Sequence, residues 1–534
     1  MDIMIGLFVL IGLTTTFAMS PALILTEYIK NNQFQKARQL SVVNPSQFLN
    51  VTSHSGFLTV DETYNSNTFF WYFPVPNKPV NENPWVVWLQ GGPGASSIAG
   101  LFDEIGPFEY DNGLKLRRWS WTEHYSVLFL DNPVGAGFSY TDYDEGFVRD
   151  METCSSHLYN AIRQFLTVFP ELRKAPLYLA GESYAGRYLP ALGMKILQQD
   201  KNIGPLDVNL QGLIMGNPVL NRDSIADYSA IYFQWGLIDS QGRLAVKKIQ
   251  DAYNKAIRDK DAANAVILRE ELLDKLDDMS MQQQTFNVLS DDISDKLRSF
   301  ASFIEAPETR QALHVGSIEF TFSNGTVHQK LIGDFMSEVR RKVEVLLDHY
   351  RVLIYCGQLD LTAPCAPSAQ ARRRYWQWGQ RDHFLSAARM PWWYNNSVAG
   401  YVKSGGNFTE VLVRGAGHLV PLDKPAQALH LITHFIRGID LPIPPNYHVL
   451  SQDTPEYRAE DDIDTEIPKT DLCPSEYKSY YGVKTTMIVS ILLNMLLVIS
   501  IVGGVVYALR WKRRTDAFMY NTVDENCIVS STMF

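Results

Sequence analysis

Short apolar runs at residues 85–89, 126–131, 177–180 and 212–216 each end in turn residues, and the stretches 152–169 and 188–199 between them carry helical spacing. Two further runs, 351–355 and 409–414, repeat the pattern after a long interval. Strands connected through helices pair in parallel, and a parallel sheet needs cover on both faces. The spacing therefore predicts an α/β domain with a mostly parallel central sheet flanked by helices. Residues 222–330 change texture. The stretch 244–276 is rich in Ala, Leu, Lys, Asp and Glu without Gly or Pro, which predicts helix. The domain is expected as a first part over 45–221, a helical cap insertion over 222–330 and a second part over 331–448.

Composition excludes several classes. With 46% hydrophobic residues in 534, the chain can bury a large core and is not globally disordered. Its net charge of −10, from 48 basic and 58 acidic residues, argues against a nucleic-acid binder. Five cysteines are too few for a disulfide scaffold, and the odd number leaves a thiol unpaired within the chain.

Both ends point to a membrane pathway. The apolar run 3–13 leads into small residues, which predicts a secretory signal over 1–20, although Asp2 stands where a cation is usual. A buried helix is the alternative. Residues 485–509 carry no formal charge, and at ~1.5 Å per residue they reach about 37 Å, enough to span a bilayer as one C-terminal transmembrane helix. Arg510, Lys512, Arg513 and Arg514 follow, so the tail 510–534 is expected in the cytoplasm. Residues 449–484 read as an acidic stalk, with eight acids against Arg458 and Lys469 in 451–471. The expected protein is type I and single-pass, with its domain in the lumen of an endosome or lysosome or at the cell surface. Glycosylation triplets at Asn50, Asn324, Asn395 and Asn407 all precede the span. Tyr520-Asn-Thr-Val fits a sorting signal for a cytosolic adaptor.

The chemistry centres on Leu177-Tyr-Leu-Ala-Gly-Glu-Ser-Tyr-Ala-Gly-Arg, a strand, a tight turn at Ser183 and a helix. It resembles a nucleophile elbow with Ala185 at the second glycine. An ordinary turn with a capping serine is the alternative. A serine nucleophile needs a base and the base an orienting acid. Asp360 follows the 351–355 strand, and His418 stands in Gly-Ala-Gly-His after the 409–414 strand. The order Ser183, Asp360, His418 is that of an α/β-hydrolase triad. The glycine-rich 88–97 segment follows an early strand and can bring bare backbone N–H groups to a reacting carbonyl.

WLQGGPGASS at 88–97, DNPVGAGFSY at 131–140, GESYAG at 181–186, YCGQLD at 355–360 and GAGHLVP at 415–421 together resemble the serine carboxypeptidase family over about residues 45–440. Their form is similar to vitellogenic-like carboxypeptidases. The resemblance implies Ser183 as nucleophile, His418 as base and Asp360 as its orienter, with the Gly92 and Tyr184 N–H groups as oxyanion hole. It implies that Trp88, Gln90, Glu104 and Glu182 hold the substrate carboxylate, and it implies no metal or cofactor. Two buried glutamates repel an anion unless protonated, so activity on peptide C-termini is expected to favour acid. Two positions depart from the family. Gln90 stands where Asn is usual, and Ala95 stands where a cysteine usually anchors the loop. Cys356 and Cys365 flank Asp360 and are either paired or two buried thiols. Two other functions stay open: an acyltransferase on the same fold, and a non-catalytic binding or chaperone-like membrane protein.

Overall fold

The computed structural model describes residues 20–199, 203–220, 227–282, 284–290, 297, 299–337, 339–445 and 447. The expected signal up to residue 19, the acidic stalk, the span 485–509, the tail and Tyr520 lie outside them. No helix among the described residues is long and apolar enough to cross a membrane.

Thirteen strands are described: β1 (Val42–Val43), β2 (Ser53–Asp61), β3 (Ser66–Phe73), β4 (Trp85–Leu89), β5 (Phe108–Tyr110), β6 (Leu114–Leu116), β7 (Ser126–Leu130), β8 (Pro176–Glu182), β9 (Asn209–Gly216), β10 (Arg351–Gly357), β11 (Met390–Tyr394), β12 (Ser397–Gly405) and β13 (Phe408–Val413). Strands β5 and β6 form a separate ribbon. The other eleven make one sheet in the order β1-β2-β3-β7-β4-β8-β9-β10-β13-β12-β11. The six central strands from β7 to β13 are parallel, and antiparallel strands extend both edges. The parallel centre answers the expectation from the apolar runs. The edge pairs β2–β3 and β11–β12 carried no such signal. Every residue of β3 is buried, so its aromatic run shows no alternation from which a strand face could be read.

The chain leaves β4 for β7 on one side and returns to β8 on the other. Such a reversal opens a crevice at the carboxyl ends of β4 and β8, where sites form in open α/β sheets. Helices Met151–Val168 and Ala185–Gln198 cover one face, burying Leu158, Ile162, Phe165, Leu189 and Leu192 in the larger core. Helix Pro425–Arg437 packs on a second core with Trp88, Phe129, Ile214 and Tyr355.

Two expectations need correction. The packed chain begins before residue 45: Leu25 and Ala37 are buried, and Phe57 N donates to Leu23 O at 2.9 Å. The single helix expected over 244–276 is two helices, Ser240–Arg258 and Ala262–Ser280. Lys260 takes φ 60° at the break, and Asp261 caps the second helix by accepting from Asn264 N. A lysine supplies the left-handed residue that glycine usually supplies, so composition alone hid the turn. With Tyr228–Gln234 these helices enclose a third core around Tyr232, Val246, Ile257, Leu272 and Leu276. Residues 228–234, 240–258 and 262–280 are therefore helical.

Candidate active site

Strand β8 runs straight into Ser183, which takes φ 56° before helix Ala185–Gln198 begins. The strained turn is held from both sides: Ser183 N donates to Gly216 O at 2.9 Å, and Ser183 O accepts from Gly186 N and Val219 N. The loop after β4 closes on this turn. A Cβ on Gly91 would lie 2.7 Å from Ser183 Cβ and 2.8 Å from the Tyr184 nitrogen, so only glycine permits the approach. Gly92 follows, and the loop thus brings its backbone beside that of Tyr184.

The loop's anchor differs from the usual cysteine. Ala95 pairs in antiparallel fashion with Ser323, Ser96 N donates to Phe322 O at 3.0 Å, and Asn324 N donates to Gly94 O at 3.0 Å. From the other side comes Asp131, the first residue of DNPVGAGFSY. Its Oδ1 accepts from Ser96 Oγ (2.6 Å) and Ser97 N (2.8 Å), and its Oδ2 accepts from Phe138 N (2.9 Å). Burial pushes this carboxyl up to about 6. Backbone pairing and one buried acid stand in for the bridge.

Asp360 and His418 meet as the triad order suggested. His418 Nδ1 lies 2.7 Å from Asp360 Oδ2, and both residues are buried. The other carboxylate oxygen, Oδ1, accepts from Thr362 N (2.7 Å) and Ala363 N (3.0 Å). Asn217 Nδ2 donates to Asp360 Oδ2 at 2.5 Å, and Asn217 Oδ1 accepts from Gly357 N at 3.2 Å. Besides His418, three donors hold this acid in place and so fix which ring nitrogen faces it. Phe286 lies against the imidazole at 4.8 Å between ring centres, and its carbonyl accepts from His418 N at 2.6 Å. Neither Asn217 nor Phe286 was found from the sequence; Asn217 sits after β9 in Met-Gly-Asn-Pro, at the same sheet edge as Ser183. Cys356 and Cys365 are bonded to each other, closing the loop that carries Asp360. Cys154 is a buried free thiol, pushed up to about 12 by burial. Cys473 and Cys527 lie outside the described residues.

The four residues named for the substrate carboxylate form one network. Trp88 Nε1 donates to Gln90 Oε1 at 2.9 Å, which fixes the orientation of the amide. Gln90 Nε2 then donates to Glu104 Oε1 at 3.1 Å and to Glu182 Oε1 at 2.6 Å. The extra methylene of Gln90 is accommodated because Gly100 leaves room; a Cβ there would press on Gln90 Oε1 at 2.7 Å and on the Trp88 indole. Glu104 lies in the π-helical turn Gly100–Ile105, a geometry frequent at functional sites. Both glutamates are fully buried, and their carboxyls lie within hydrogen-bonding reach of each other. Burial raises the Glu104 carboxyl above its ordinary range. Burial and the facing Glu104 charge raise Glu182 well above it. A proton shared by the pair relieves both effects.

A cavity of ≈ 40 Å³ next to Tyr184 and Pro93 is lined from the insertion by Val266, Arg269 and Glu270. Among the described residues no cluster of His, Cys, Asp and Glu is arranged to hold a metal ion. Of the glycosylation triplets, Asn50 and Asn395 are exposed. Asn324 caps helix Gly325–Leu331 and donates from Nδ2 to Gly135 O at 2.8 Å, and Asn407 Nδ2 donates to Leu347 O at 3.0 Å.

Residues 44–438 match the serine carboxypeptidase family. The chain is 37% identical over 427 residues to the venom serine carboxypeptidase of Apis mellifera, covering 77% of this chain and 90% of that protein. It is also 37% identical over 431 residues to the vitellogenic carboxypeptidase of Aedes aegypti, covering 77% and 89%. The prohormone-processing carboxypeptidase KEX1(delta)p of Saccharomyces cerevisiae shares the fold, with a TM-score of 0.67 at 22% identity over 77% of this chain and 98% of that one. With its parallel sheet, its elbow serine and these relatives, the chain belongs to the serine carboxypeptidase family of α/β-hydrolases.

Proposed function

We propose that this serine-type carboxypeptidase releases C-terminal amino acids from peptides in acid, through an acyl-enzyme formed on Ser183. The observation that carries the reading is the position of the Gln90-bridged glutamates: Glu182 immediately precedes Ser183, and the two buried carboxyls lie within hydrogen-bonding reach of each other. Protonated, the pair donates to a peptide's terminal carboxylate and sets the last peptide bond over the serine. In this reading His418 takes the Ser183 proton as Oγ bonds to the scissile carbonyl carbon. Asp360 holds Nδ1–H and stabilises the imidazolium. The oxyanion is met by the Gly92 and Tyr184 N–H groups. His418 then gives its proton to the leaving amino acid, and water reverses the sequence to free the shortened peptide.

The acyltransferase alternative uses the same acyl-enzyme but needs no site for a free carboxylate, so the glutamate pair favours the peptidase. A non-catalytic receptor role would not require the His418–Asp360 pair. The test is release of amino acids from blocked dipeptides and from their C-terminal amides across pH. Release from free acids in preference to amides, strongest in acid, supports the reading; equal turnover of both overturns it.

The proposed setting is a type I membrane protein facing an acidic lumen or the cell surface. It is supported by the uncharged stretch 485–509 followed by Arg510, Lys512, Arg513 and Arg514, and by the acid preference the glutamates imply. Tyr520 is the proposed contact for a sorting adaptor. Exposed Asn50 and Asn395 are the acceptors best placed for glycans.

A further inference from the structure

Strands β10, β13 and β12 lie side by side, and their register puts Ile354, Glu410 and Lys403 in one row and Cys356, Leu412 and Tyr401 in the next. Residues two apart on a strand share a face, so both rows face the same way. Helix Cys365–Tyr375 borders the same space, and helix and strands enclose a cavity of ≈ 220 Å³. Its ionisable lining is Arg372, Arg373, Arg389 and Lys403 against Glu410 alone. Four cations to one acid is the reverse of the chain's overall balance of −10.

Glu410 cannot neutralise this set. Arg372 Nε donates to its Oε1 at 2.7 Å and Arg373 Nη2 to its Oε2 at 2.8 Å, so both oxygens are engaged. Arg372 and Glu410 are buried, which fixes these two guanidinium groups in place. Arg389 is exposed and lies over the Tyr401 ring at 4.1 Å. Lys403 is held by the carbonyls of Leu385 (2.9 Å) and Ala387. Arg373 Nε is buried and has no hydrogen-bond partner among the described residues. Three positive charges thus remain in excess around a volume that admits a small molecule. Burial and the Arg373 charge both push Arg389 and Lys403 below their ordinary values, the strain that an added anion would relieve.

We propose that this cavity binds a tetrahedral oxyanion of the phosphate or sulfate class, free or as the ester group of a small molecule. Guanidinium forks match such oxygens, and Arg389 and Lys403 supply charge from the strand side. The apolar lining of Ile354, Leu412, Ala366 and Ala369 suits the carbon skeleton of an ester. The site is separate from Ser183 but joined to the triad by chain: the bordering helix begins at Cys365, and Asp360 lies between Cys365 and its bonded partner Cys356. An occupied site ties this helix to β12 and braces the turn that presents Asp360 to His418.

Isothermal titration of the purified full-length chain with inorganic phosphate, and in parallel with glycerol 3-phosphate, tests the proposal. One saturable site with a Kd of about 0.1–1 mM is expected, at least about tenfold weaker in R389Q/K403Q. Tighter binding of glycerol 3-phosphate identifies an ester as the ligand form, whereas equal binding identifies the free anion. Glu410→Gln removes the competing carboxylate and should bind phosphate more tightly, a change of sign that a merely structural role of these residues would not produce. Phosphate also stabilises proteins as a bulk salt, so the rise in thermal midpoint must be larger in wild type than in R389Q/K403Q. Absence of saturable binding to the wild-type chain, or unchanged affinity in R389Q/K403Q, would overturn the proposal.

Discussion

Asn217 and His418 meet on a single atom: Asn217 Nδ2 donates at 2.5 Å to the same Asp360 Oδ2 that lies 2.7 Å from His418 Nδ1. Asn217 also accepts from Gly357 N, so it ties the residue after β9 to the end of β10. It is a positioning residue, acting on the base through the acid. Asn217→Ala is expected to lower kcat by about 10–100-fold, equivalent to ~1.4–2.7 kcal/mol, with little change in KM. Steady-state kinetics would decide, and a change confined to KM would show that Asn217 does not act on the triad.

Ser183→Ala is expected to abolish covalent labelling by a fluorophosphonate probe while leaving the thermal midpoint close to that of the wild type. The hydroxyl is half-buried at a turn whose shape is held by backbone bonds to Gly216, Gly186 and Val219, so its loss removes little packing. Labelling that persists in the variant would place the nucleophile elsewhere.

The raised carboxyls of Glu104 and Glu182 give substrate binding a sign. Below the raised value the pair holds a proton and donates to a terminal carboxylate; as pH rises through it, the pair becomes anionic and repels the same group. KM for a free-acid dipeptide should therefore climb with pH, by up to about tenfold per unit. KM for the matching amide should stay nearly flat, because the amide carries no charge, and any effect of His418 is common to both. Glu104→Gln keeps a neutral donor and should flatten the free-acid curve. Parallel pH curves for acid and amide would reject the glutamate pair.

Stability should follow pH in the same direction. Asp131 has a folded value of about 6, above an unfolded value of about 3.9, so the fold prefers its protonated form. That contribution is fully present below the unfolded value and is lost as pH rises through about 6. Glu104 and Glu182, also raised by burial, act in the same sense. The thermal midpoint is expected to fall between about pH 4 and pH 7, and Asp131→Asn should shallow that slope even where it lowers the midpoint throughout. Thermal scans across pH on both proteins measure the two slopes; identical slopes would show that Asp131 does not titrate with folding.

The residues proposed to react were legible because each follows a strand in the parallel centre of the sheet, where apolar runs and glycine turns leave a local signature. Ser183, Asp360 and His418 could be named from segments of fewer than a dozen residues each. The Gln90 network was legible only through resemblance: Glu104 lies in a π-helical turn, and nothing local marks it as facing Glu182 across 78 residues. The support of the glycine-rich loop was not legible at all. Ala95 pairs with Ser323, and Asp131 reaches Ser96 and Ser97, through contacts that only the closed fold creates. The helix break at Lys260 escaped notice because a lysine holds a conformation that composition assigns to glycine.

The pairings of Gly137 with Thr321 and Ala95 with Ser323 have a wider meaning. They fasten residues 321–323 of the insertion to the loops that carry Gly137 and Ala95, and Arg187 of the elbow helix is locked to Asp334 just beyond. The helices Ser240–Arg258 and Ala262–Ser280 precede this clamped segment, and Val266, Arg269 and Glu270 reach the cavity beside Tyr184. Because Phe286 of the same insertion packs on His418 and accepts from its N–H, a change in the insertion bears on the His418 loop as well as on that cavity.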